Sequence, residues 1–134
     1  MDNALREFIK KRANYCCEYC RMSQDSDILP FQIDHIISLK HHGSSEATNL
    51  TLSCYSCNAH KGPNIAGIDV KTGGVTRLFH PRRDQWDKHF LWEGAYLLDS
   101  TAIGRTTIDV LSINLLERVE LRRTLMAIGI SFEA

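Results

Sequence analysis

The 134-residue chain carries sixteen Lys and Arg against sixteen Asp and Glu, with 43% apolar and 24% charged residues. This is an ordinary globular composition, long enough for one core to bury about two thirds of the unfolded surface without disulfide staples. A formal charge of zero gives no global basic footprint for nucleic acid. No apolar run approaches the roughly 20 residues that span a bilayer, and the first residues lack a secretory pattern, so a cytoplasmic protein with no membrane partner is expected. Five cysteines are too many to be incidental in such a chain and an odd number for a disulfide framework, which favours metal binding.

In chain order, Leu5, Phe8, Ile9 and Arg12 follow the spacing of one helical face, and Asn3 can cap it, which predicts a short amphipathic helix over 4–14. Residues 1–15 hold Arg6, Lys10, Lys11 and Arg12 against Asp2 and Glu7, so the zero charge is an average over unlike parts. The Lys10-Lys11-Arg12 run reads as the wet face of that helix. A polar loop around Ser23–Asp27 leads to a strand at 31–37, then a loop at His41-His42-Gly43-Ser44-Ser45. Asn49–Leu52 runs into a one-to-two-turn helix ending at Gly62-Pro63. Strands follow at Val75–Phe79 and within His89–Asp99, with Glu93-Gly94 as a tight turn, and the period of Ile108 to Met126 predicts one or two terminal helices.

Cys17-x-x-Cys20 and Cys54-x-x-Cys57 form two knuckles separated by 33 residues. Four thiolates at this spacing suit a closed tetrahedral structural Zn2+ site, since two intervening residues let both sulfurs of a knuckle reach one ion. Cys16 is spare and could replace Cys17. A closed shell of four thiolates leaves no position for water, which argues against zinc-dependent hydrolysis. Neither a phosphate loop of the G-x4-G-K type nor a Gly-x-Ser-x-Gly elbow is present.

The insert between the knuckles contains Asp34-His35 and Asn49, and the second knuckle is followed by Asn58-Ala59-His60-Lys61-Gly62. This order resembles the HNH endonuclease family in its zinc-stapled form, and Thr72-Gly73, Leu78-Phe79-His80-Pro81-Arg82, Trp86-x-x-His89-Phe90-x-Trp92 and Gly104-Arg105-Thr106-Thr107 resemble the tails of small bacterial members. The resemblance implies an α+β fold: a ββα-metal (HNH/His-Me finger) core stapled by the four-cysteine zinc site, then a short β-meander and C-terminal helices. One domain over 1–134 is expected, with its core at about 15–63 and an extension at about 64–134. It implies hydrolysis of DNA phosphodiesters, RNA not excluded, by one catalytic Mg2+ for which Mn2+ or another divalent ion can substitute. A homodimer is possible if both strands are cut. A zinc-stabilised nucleic-acid-binding or adaptor module without catalysis is the alternative.

The resemblance assigns His35 as general base, Asp34 and Asn58 as hard oxygen ligands for Mg2+, and Asn49 as the brace that orients the base. Adjacent strand residues point to opposite faces, so the strand must end, twist or bulge at Asp34-His35. His60, about 200° around a helix from Asn58, is the alternative ligand. His41 and His42 read as solvated loop residues, His80 and His89 as packed core histidines, and Trp86, Phe90 and Trp92 as one face of a strand. Lys61, Arg82 and Arg83 read as solvated surface or phosphate contacts.

Overall fold

Asp2, one residue ahead of the expected Asn3 cap, starts the first helix: its carboxylate accepts the Leu5 N–H at 2.8 Å. In the computed structural model, which describes residues 1–133, the chain divides by its internal contacts into two compact units. Met1–Ile65 with His80–Arg83 form one unit, and Ala66–Phe79 with the chain from Asp84 onward form the other. No helix of the described residues is long and apolar enough to cross a membrane.

The first unit holds α1 (Asn3–Arg12), β1 (Gln32–His35), β2 (Leu50–Ser53) and α2 (Tyr55–Lys61). Strands β1 and β2 pair antiparallel, with Ile33 opposite Leu52, Asp34 opposite Thr51 and His35 opposite Leu50. Ile9, Leu50 and Leu52 are fully buried and form the core, joined by Leu5, Ala13, Phe31 and Ile33. Alternation along β2 sends Leu50 and Leu52 to that core, while Thr51 donates to the Glu18 carboxylate at 2.6 Å. Glu18 also accepts the Leu52 N–H and pairs with Arg82, so Arg82 is a tether and not a phosphate contact. Arg12 also departs from the sequence reading: its guanidinium turns inward and donates to the carbonyls of Ala47 and Leu50.

The second unit holds the hairpins β3–β4 (Ala66–Ile68, Val75–Arg77) and β5–β6 (Phe90–Glu93, Tyr96–Asp99), with α3 (Trp86–His89), α4 (Ala102–Val110) and α5 (Leu116–Ala127). The strands form separate two-stranded sheets in place of a continuous meander. Phe90, Leu97, Leu111, Ile113 and Val119 are buried. Trp86 belongs to α3, not to a strand, yet its ring lies 5.1 Å from Phe90 and 6.1 Å from Trp92, so the three still form one aromatic cluster.

The tail motifs have structural work here. Arg105 grips Asp69 through two parallel bonds of 2.6 and 2.7 Å, and the Thr72 hydroxyl and Lys71 N–H complete its shell. The Asp69 main chain closes the β3–β4 loop by accepting from Gly73, whose φ of +76° is a glycine conformation. Gly104 lies so close to the His89 carbonyl that a Cβ would sit 2.2 Å from its oxygen, and Thr107 Oγ1 accepts the Phe79 N–H.

Arg105 holds the buried Asp69 carboxyl well below the usual carboxylate range. A depressed folded value contributes stability above the unfolded pKa, about 4, and that contribution is lost as pH falls through the folded value. Asp69→Asn should therefore lower the melting temperature at pH 7, and the gap to wild type should narrow below about pH 4. Tryptophan fluorescence reads this directly, because Trp86 and Trp92 both lie in the second unit; a gap independent of pH would remove Asp69 from the acid dependence.

Candidate active site

Two backbone knuckles bring four sulfurs together. In the first, Cys20 N–H donates to Cys17 Sγ at 3.5 Å and Arg21 takes a left-handed φ of +68° to turn the chain. In the second, Cys54 is the N-cap of α2 and accepts the Cys57 N–H at 3.3 Å. All four residues are buried and their Sγ atoms lie within 4.8 Å of one another. Cys20 Sγ and Cys54 Sγ are 3.7 Å apart. That is far beyond the disulfide length of about 2.05 Å, and it matches the edge of about 3.8 Å for a tetrahedron with sulfurs about 2.3 Å from its centre. The set suits a structural metal ion such as zinc. Burial pushes the Cys17 and Cys57 thiols well above their usual range, so the ion must displace protons as it binds. Cys16, half buried, lies outside the cluster.

Because Cys54 caps α2, the metal cluster sets where the helix begins, and Gly62, at a φ of +52°, sets where it ends. Helix α2 presents Lys61 to the end of β1. The Lys61 ammonium is 2% exposed and donates to Asp34 Oδ2 at 3.2 Å and to the His35 carbonyl at 3.1 Å. It is thus neither solvated surface nor a phosphate contact. Asn58 lies three residues earlier, on the same helical face, so the face that meets Asp34 is the one that carries Asn58. His60 is exposed on another face, its Nδ1 bonded to the Ser56 carbonyl of its own helix at 2.8 Å.

Strand β1 ends at His35 with its register intact and no bulge. Alternation then separates the two neighbours: Asp34 reaches Lys61 on α2, whereas His35 turns to the following loop, its Nε2 2.9 Å from Ser45 Oγ. That loop is held by Asn49. The Asn49 amide accepts the Ile37 N–H at 2.9 Å and donates to the carbonyls of Ile37 at 2.9 Å and Ser44 at 2.7 Å. The Asn49 side chain touches the residue next to Ser45, so its link to the His35 ring runs through the loop. Gly43 must be glycine, since a Cβ there would lie 1.7 Å from the Ile37 oxygen and 2.8 Å from Asn49 Nδ2.

His41 and His42 are exposed on the same loop. His80 is buried and its Nδ1 accepts the Arg82 and Arg83 N–H groups at 3.2 Å, while His89 bonds Thr101 Oγ1 at 2.6 Å, both as packed histidines. Arg83 is exposed. Two participants were not visible as such in sequence. Ser45 sits in a loop with no periodic signal. Lys61 had one clue, its i, i+3 spacing from Asn58.

Residues 17–64 match the family model described as HNH endonuclease. The match covers this segment and not the rest of the chain. The matched region runs from the first knuckle to the turn after α2, so it contains the cysteine cluster, the β1–β2 pair and Asn58. No curated protein and no solved structure matches the chain. The segment is thus similar to a family of metal-binding nucleases, whose substrate class is nucleic acid.

Metal analysis of the purified protein should find about one zinc per chain, and Cys54→Ser should unfold the HNH segment, losing both a ligand and the α2 cap. Asn49→Ala should cost roughly 1–3 kcal/mol, since it orphans three main-chain groups of a part-buried loop. Denaturant titration checks the Asn49→Ala loss, and a loss below the error of extrapolation would make the brace dispensable.

Proposed function

We propose that the HNH segment is a divalent-metal-dependent endonuclease that hydrolyses DNA phosphodiesters, acting in the cytoplasm, with His35 as general base and Asp34 and Asn58 as ligands of a catalytic Mg2+. The observation that carries this reading is the join of the family match to the end of β1: Asp34 and His35 sit at the strand terminus, with α2 on one side and a braced loop on the other. The donor set fits the ion. Lys61 takes only Asp34 Oδ2, and neither Oδ1 nor the Asn58 side-chain carbonyl has a hydrogen-bond partner among the described residues, leaving two hard oxygens free. When bound, the ion supplies Lewis-acid stabilisation of charge on the phosphate and the departing oxygen.

The chain's own part is to prepare and hold the base. The bond to Ser45 Oγ occupies Nε2 of the His35 ring and leaves Nδ1 as the nitrogen to take a proton from water. Asn49 fixes the loop that carries Ser45 and so supports this orientation of the ring. Mn2+ or another divalent ion should substitute for Mg2+, RNA shares the scissile chemistry, and cutting both strands would call for two copies of the site. A second reading, a zinc-stabilised nucleic-acid-binding or adaptor module, draws on one observation: Asp34 is already ion-paired.

Relaxation of supercoiled plasmid with Mg2+ or Mn2+ separates the two. Wild type should nick, and His35→Ala with full zinc content should lose about 10²- to 10⁴-fold in rate, the usual worth of a positioned base. Binding without cutting by the wild type would favour the adaptor, and wild-type nicking by His35→Ala would remove His35 from the chemistry.

A further inference from the structure

Lys61 is one of the largest fully buried side chains of the protein, and a buried ammonium is costly unless its charge is used. It has two acceptors among the described residues, Asp34 Oδ2 at 3.2 Å and the His35 carbonyl at 3.1 Å. The second bond pins the last main-chain carbonyl of β1. The first neutralises the carboxylate assigned above to the catalytic ion. An uncharged donor could make either bond; a cation additionally opposes any second cation placed on the same carboxylate.

We propose that Lys61 is a built-in counter-cation of the divalent-metal site, which keeps metal affinity low in the protein alone and couples metal binding to the arrival of a phosphate. The inference rests on the reading of Asp34 as a metal ligand. One carboxylate cannot fully compensate both an ammonium and a dication. The excess positive charge falls when a further negative charge enters, and the phosphodiester of the substrate carries one. Metal and nucleic acid then raise each other's affinity by the same factor, as linkage requires.

The test is Mn2+ binding to the zinc-loaded protein, read as loss of the free-ion electron paramagnetic resonance signal, with and without a short DNA duplex. Lys61→Gln, which keeps a donor and removes the charge, should bind Mn2+ on the order of tenfold tighter or more without DNA, and the duplex should enhance its affinity less than it does for wild type. Lys61→Arg should stay close to wild type, and Asp34→Asn should bind Mn2+ far more weakly. If Lys61→Gln does not retain zinc, Lys61→Met supplies the same readout with a side chain suited to a buried path. Unchanged or weaker binding by the neutral variants, or failure of both to fold, makes Lys61 a structural post and overturns the proposal. Wild-type Mn2+ binding by Asp34→Asn instead overturns the ligand reading, and the proposal with it.

Discussion

Closure of the two cysteine knuckles on one centre is the constraint from which the first unit follows. Its cysteines are distant in sequence, so the cluster joins a turn just after α1 to the junction between β2 and α2. The same Cys54 sulfur that belongs to the cluster caps α2. A helix of seven residues is too short to persist on its propensity, since isolated helices need about 12–15 residues to be even marginal. Held at one end by the cluster and at the other by the Lys61 ion pair, it becomes a rigid post for Asn58.

The second constraint is the twofold alternation of a strand. Asp34 and His35 are neighbours, and on a regular strand one site could not use both. The chain answers by ending β1 at His35 and giving each side chain its own support: α2 for Asp34, the Asn49-braced loop for His35. No bulge is needed. The arrangement also explains why the brace is an asparagine. Main-chain groups at Ile37 and Ser44 require both an acceptor and donors from one short side chain, and an amide offers both while a carboxylate offers none of the donors.

Much of this was legible because it was written in spacing. The C-x-x-C pairs, the helix stop at Gly62 and the β5–β6 turn are local signals, and the structure has all three. Pairings between distant polar residues were not legible. Arg12, Arg82 and Lys61 have the composition of a wet surface, yet each is turned inward by an acceptor that no pattern marks: main-chain carbonyls, Glu18 and Asp34. The Trp86, Phe90 and Trp92 pattern failed for another reason. Even spacing is also met by a ring on a four-residue helix that leads into the strand, and clustering of the rings does not need a shared strand. The site's individual roles came through resemblance, whereas Ser45 emerged only from the fold.

The zero charge of the chain acquires a physical meaning once the units are separated. The first unit carries nine Lys and Arg against seven Asp and Glu, and the second carries seven against nine. Even the small excess of the first unit is partly spent: Arg12 serves carbonyls, while Arg82 and Lys61 serve carboxylates. The exposed cations that remain, such as Arg6, Lys11, Lys40 and Arg83, are few. Under the nuclease reading, few counterions would be released on binding, so the protein's own grip on a duplex is weak at physiological salt. Charge at the scissile phosphate must then come chiefly from the divalent ion, whose field is strongest at the site itself. Under the same reading, binding would be tightest where the ion sits, and affinity would follow the metal more than the surface.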